Sequence, residues 1–135
     1  MERSVPEPAP RGKKGQRSFT WNEPGEWSYD PVKKLSHSTV TLSIDENGAG
    51  TTIVIAKYEP GAVVGPHYHH ADYCSLVVEG SIEITRREHT VGSMRVVNAG
   101  TTYGPLVAGP EGCTMVDIFA TGVADPSLSA MNTYL

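Results

Sequence analysis

Gly61-Ala62-Val63-Val64-Gly65-Pro66-His67-Tyr68-His69-His70-Ala71-Asp72-Tyr73 is the stretch whose reading decides the fold, with Glu79-Gly80 closing the segment that follows. A strand alternates its side chains between two faces, so His67 and His69 point the same way. Two imidazoles on one face, set between glycine-rich turns, are the start of a metal site. A second stretch, Gly92-Ser93-Met94-Arg95-Val96-Val97-Asn98-Ala99-Gly100-Thr101-Thr102-Tyr103-Gly104-Pro105, has the same punctuation.

Together the two stretches resemble the paired motifs of the cupin superfamily, small β-barrels that carry many chemistries. The first motif of that family runs Gly, five residues, His-x-His, three or four residues, Glu, six residues, Gly. Gly61, His67, His69 and Gly80 fall on it, and Tyr73 occupies the Glu position. The second motif runs Gly, five residues, Pro-x-Gly, two residues, His. Gly92 and Gly100 fit, Asn98 replaces the Pro, and Tyr103 stands where the third His would be. Two of the family's four usual metal ligands are thus kept, and tyrosines replace the other two. The resemblance spans residues 35–122 and implies an all-β, cupin-type double-stranded β-helix (jelly-roll) barrel, here with an N-terminal arm.

Composition agrees with an all-β domain. The chain has 135 residues, 14 of them Gly and 10 Pro, enough for one domain. Short alternating runs of Val, Ile and Thr argue for a sandwich or barrel. The formal charge of −4 is unevenly placed. Residues 1–17 hold Arg3, Arg11, Lys13, Lys14 and Arg17 against Glu2 and Glu7, a net of +3, which leaves −7 for the rest. An acidic body is a poor partner for a phosphate backbone, so no nucleic-acid partner is expected. No apolar run reaches membrane-spanning length, and the N-terminus lacks the apolar core of a signal peptide. Cys74 and Cys113 are too few for a disulfide scaffold. A cytoplasmic protein without membrane contact is the expectation.

Along the chain, residues 1–17 read as a disordered or mobile basic arm. Residues 18–34 carry Phe19, Trp21, Trp27 and Tyr29, four of the ten aromatics, which would be costly to leave in water. They are expected to pack on the barrel or on a partner subunit, most simply in a homodimer. Val40, Leu42 and Ile44 alternate with polar residues as a half-buried strand, turned by Asn47-Gly48 into a return strand over 51–59. Tyr73–Val78 is apolar on both faces. Glu79-Gly80 and Gly109-Pro110-Glu111-Gly112 read as turns, the latter a loop at the barrel rim. Residues 123–135 form a tail, with Asp125-Pro126 as a helix cap ahead of Leu128, Met131 and Leu135.

The candidate site follows. His67 and His69 are the metal ligands, since a metal wants neutral imidazole nitrogens at about 2.1 Å on a rigid wall. Tyr73 and Tyr103 are the catalytic candidates, each able to ligate a Lewis-acidic ion as phenolate, donate to a substrate oxygen, or act as a general acid. The bland reading of either is a packed ring with a local hydrogen bond. His70 should point away from its neighbours. Asp72 lies one position before the Glu slot and enters only if a bulge turns it inward. Asp117 shares a face with Cys113 and Met115; that face is either external or makes Asp117 a buried carboxylate and candidate base.

The resemblance implies a pool of dioxygenases, lyases, isomerases and cyclases. The expected function is a metal-assisted enzyme acting on an apolar or aromatic small molecule inside the barrel. One divalent or trivalent first-row ion (Fe, Mn, Zn or Ni) would polarise the substrate while Tyr103 donates a proton or hydrogen bond. The alternative is a metal-free barrel that serves as a ligand-binding or sensor protein.

Overall fold

A computed structural model describes residue 16 and residues 18–41, 51–120 and 133–134. Among these no helix forms. The strands are β1 (Ser28–Asp30), β2 (Leu35–Thr41), β3 (Thr52–Tyr58), β4 (Val63–Val64), β5 (His67–Tyr68), β6 (Tyr73–Ile84), β7 (Arg87–Thr90), β8 (Met94–Val97), β9 (Leu106–Phe119) and β10 (Thr133–Tyr134). All pair antiparallel, in the order β1-β2-β3-β9-β6-β7, with β4 added to β9 and β8 to β6. The chain is therefore the all-β jelly-roll that the two motifs imply.

The two long strands explain the shape. β6 and β9 pair from Tyr73↔Phe119 to Ile84↔Leu106, with register shifts between Val77 and Glu79 and between Gly80 and Ile82. Extra residues bend a strand and increase its twist. Gly80 sits at the bend with φ 72°, and a Cβ there would meet the Gly112 carbonyl oxygen at 2.0 Å. Glu79-Gly80 is thus a bulge inside one strand and not a turn. Gly109-Pro110-Glu111-Gly112 is likewise no rim loop. It lies within β9, because its glycines allow the chain to cross the barrel corner without leaving the sheet.

β-Branched and aromatic residues fill the interior. One cluster gathers Leu35, Ala56, Val77, Ile82, Leu106 and Met115; another gathers Val54, Ala71, Tyr73, Val97 and Phe119. Tyr103 packs against both. Phe119 is 1% exposed, and burying such a ring is worth roughly 1.5–3 kcal/mol.

The aromatic segment joins the sheet through β1, which adds to the β2 edge with Tyr29 opposite Ser36. The Tyr29 hydroxyl donates to Glu59 at 3.1 Å, and the Lys57 ammonium lies 5.5 Å from the Trp27 ring centre. Phe19 and Tyr29 stay 40% and 54% exposed. The Asn47-Gly48 turn and nearly all of the basic arm lie outside the described residues. So does most of the expected C-terminal helix, although Thr133–Tyr134 pair with His67–Tyr68 as strand β10. No described helix is long and apolar enough to cross a membrane.

Candidate functional site

His67 and His69 are each 4% exposed, while Tyr68 between them is half-buried and His70 is exposed. The period of two therefore holds through this segment, and both imidazoles enter the barrel. Their ring centres are 4.9 Å apart, edge to face. His67 Nδ1 lies 2.8 Å from the Gly65 carbonyl oxygen, so Nδ1 carries the proton and donates. Burial pushes the His67 pKa down, against the Gly65 bond, and the Lys33 and Arg95 charges push it the same way as burial.

Tyr103 is fixed to this segment by its backbone. His67 N–H donates to the Tyr103 carbonyl and Tyr103 N–H to the His67 carbonyl, both at 3.0 Å. Gly104 follows with φ 118°, where a Cβ would come within 2.9 Å of Pro66 Cα. Its N–H donates to Thr85 Oγ1 at 2.8 Å. The second motif is thus held against the first, and the phenol is aimed at the histidines.

The hydroxyls form a series. Tyr73 donates to the Tyr103 oxygen at 2.5 Å, and the Tyr103 hydroxyl is 2.7 Å from His69 Nε2. With the Tyr103 oxygen accepting from Tyr73, its own proton is free for His69. Burial raises both phenol pKa values well above the ordinary 10, and each is raised further by the Asp117 charge. The Arg95 charge and hydrogen bond oppose this at Tyr73. Phe119 closes the group, stacked 4.9 Å from Tyr73 and edge-on 5.4 Å from His69.

Two further residues belong here. Arg95 lies over the Tyr103 ring, 4.7 Å from its centre, a cation–π contact. Sequence reading passed over Arg95 as part of a strand. Alternation from buried Val97 would have placed it on the inner face. Asp117 is 9% exposed, which settles its face as internal. Burial pushes its carboxyl up to about 6, against the Ser75 hydrogen bond and the Arg95 charge. Its Oδ1 has no hydrogen-bond partner.

Asp72 does not enter. It is exposed, and its Oδ1 accepts from the Ala99 N–H at 2.7 Å, bracing the loop between the two motifs. Cys74 is half-buried. A cleft of about 470 Å³ opens beside the site, lined in part by Thr85, Arg87, His89, Arg95, Asn98 and Tyr103. Neither histidine lines it. Tyr103 alone of the four expected site residues faces both the cleft and the hydrogen-bonded series.

The donor set decides what ion these residues could take. His67 and His69 offer two nitrogens, and the fixed tautomer of His67 is what a metal-bound imidazole needs. Tyr103 and Tyr73 add phenolic oxygens. Among the described residues no group of three or more His, Cys, Asp and Glu converges. The set fits a Lewis-acidic ion bound through two nitrogens and a phenolic oxygen. It does not fit a centre of two histidines and one carboxylate.

Residues 19–124 match the family model described as Cupin, and the chain belongs to that family. Among solved structures it is similar to KdgF from Halomonas sp., at 24% identity and a TM-score of 0.59, covering 78% of this chain and 94% of that one. The polyketide cyclase RemF from Streptomyces resistomycificus gives 18% identity and 0.58, covering 78% and 79%. An oxalate decarboxylase from Bacillus subtilis, a protein with Mn(II) centres, gives 18% and 0.65. That match covers 90% of this chain but only 34% of the decarboxylase. At these identities the likeness is one of fold. No curated protein matches the chain.

Proposed function

We propose that this cupin is an enzyme that moves a proton on a small organic molecule, in the class of isomerases, lyases and cyclases, with Tyr103 as the group that meets the substrate. The observation that carries the reading is the series Tyr73, Tyr103, His69, with contacts of 2.5 and 2.7 Å, reaching the cleft at Tyr103.

A free phenolate at Tyr103 is disfavoured by burial. A concerted transfer avoids it. A proton leaves a carbon next to a substrate carbonyl for the Tyr103 oxygen as the Tyr103 proton passes to His69 Nε2. The carbon's electron pair moves onto the carbonyl oxygen as an enolate, and reversal returns the proton at the same or another carbon. Arg95, beside the Tyr103 ring, favours the negative charge that develops. Tyr73 holds the Tyr103 oxygen in line, and Phe119 keeps water from the far side.

A first-row ion held by His67 and His69, with the Tyr103 oxygen, would supply Lewis-acid polarisation of a substrate oxygen. The neighbouring cyclase and the Mn-containing decarboxylase keep both kinds of chemistry within the reach of this fold.

The test is deuterium incorporation. A panel of aromatic and aliphatic ketones and keto acids is incubated with the protein in heavy water and read by mass spectrometry. Exchange next to a carbonyl, absent with Tyr103→Phe, is the expected result. Exchange unchanged in that variant would overturn the assignment.

A further inference from the structure

The cleft beside Tyr103 has a charge pattern that the rest of the chain does not share. After residue 17 the sequence holds six Lys and Arg against thirteen Asp and Glu. Two of those six, Arg87 and Arg95, line the cleft together with His89, and no carboxylate is among its described lining. The contrast within the molecule is sharp. A second cavity of about 220 Å³, near Tyr58, is lined by Glu59, Glu79 and Glu111, with Lys57 as its one ammonium.

From this we infer that the cleft is a carboxylate-binding subsite, with Arg95 and Arg87 as the clamp that sets a small organic acid against Tyr103. The inference rests on the proton-transfer reading only for what happens next to Tyr103; the binding stands by itself.

Geometry supports it in three ways. Arg95 is half-buried on the Tyr103 ring, so its guanidinium is held in place before a ligand arrives. A planar guanidinium matches a carboxylate with two parallel hydrogen bonds, and less of its freedom is lost on binding when it is already stacked. Arg87 stands across the cleft on β7, exposed and able to close on the ligand. His89 on the same strand is held by Ser93, its Nδ1 2.7 Å from that hydroxyl. Beyond these charges the wall is Ile84, Val96 and Val97, with Asn98 and Thr101 at the rim. That surface suits a carboxylate attached to an apolar or aromatic body. About 470 Å³ is room for a molecule of that kind and not for a polymer chain enclosed in it.

The uncompensated positive field has a second sign. Burial, then the Arg95 and Arg87 charges, hold the His89 pKa below its usual value. An anion in the cleft would reverse the charge part of that effect.

Benzoate and benzamide, alike in shape and different in charge, are the probes. Binding is read from the backbone amide resonances of residues 95–101. Benzoate should bind at least about tenfold tighter than benzamide. Arg87→Gln, at an exposed position that leaves the core untouched, should lose most of that preference, and Arg95→Gln the remainder. Tyr103→Phe keeps the ring beneath Arg95 and should keep the preference, even where deuterium exchange is lost. Failure of the catalytic reading and failure of this one are thereby separated. Equal binding of the two probes, no binding of benzoate, or a preference that survives Arg87→Gln in a folded protein would overturn the subsite.

Discussion

The Tyr103 hydroxyl stands 2.7 Å from Nε2 of His69, across a gap that joins the two motifs of the fold. The relationship is made by backbone, since Tyr103 and His67 exchange both of their main-chain hydrogen bonds. A side chain thirty-four positions away is thereby placed as firmly as a neighbour on the same strand. Where the family pattern has a third histidine, this chain puts a phenol against the second one. The substitution exchanges a nitrogen ligand for a hydroxyl that can carry a proton between the cleft and the barrel interior.

Asp117 should make the fold sensitive to pH. Its folded pKa of about 6 exceeds that of an unfolded aspartate, so the folded state binds the extra proton. Its contribution to stability is full below about pH 4 and is lost as pH rises through about 6, a cost of about 3 kcal/mol at neutral pH. Asp117→Asn removes that titration. Urea unfolding at pH 4 and pH 7 should show wild type losing about 2–3 kcal/mol more between the two than the variant does. Parallel losses would mean that Asp117 does not titrate in this range.

Much of this was legible in the strand period and the motif spacing. His67 and His69 obey the alternation, and Gly61, Gly80, Gly92 and Gly100 mark the segments that carry the site. The failures have physical causes. Gly109-Pro110-Glu111-Gly112 has the composition of a turn, yet here the same residues bend a continuous strand, and only the partner strand β6 distinguishes the two. Asp117 was readable as a face but not as a side, because inward and outward strands share one period. Arg95 was hidden by its charge, which reads as surface until the ring beneath it is placed.

His67 and His69 should retain a first-row ion when the protein is loaded with Fe, Mn, Zn or Ni and freed of excess. Elemental analysis is expected to find that ion lost in His67→Ala and in His69→Ala, and kept in His70→Ala, whose ring is exposed. Retention in His67→Ala would place the ion elsewhere. Deuterium exchange that persists after chelation is expected if Tyr103 and His69 do the work.

The aromatic arm should support a homodimer. Phe19, Tyr29 and Val32 remain 40%, 54% and 89% exposed after β1 has joined the sheet. A second copy covering them would remove that apolar surface from water. Sedimentation should show a dimer that survives deletion of residues 1–17 and is lost on deletion through Asp30. That longer deletion also exposes the β2 edge and lowers stability. An equally stable dimer after the longer deletion would move the interface elsewhere.

The central claim is the proton series, and the tautomer of His69 tests it most directly. In chelated protein labelled with ¹⁵N at histidine, at a pH where the ring is neutral, the series requires the proton on Nδ1 and an unprotonated, hydrogen-bonded Nε2. Tyr103→Phe should shift the Nε2 resonance toward that of a nitrogen without a donor and leave His67 protonated at Nδ1. A His69 protonated at Nε2 in the wild type could not accept from Tyr103, and would contradict the account.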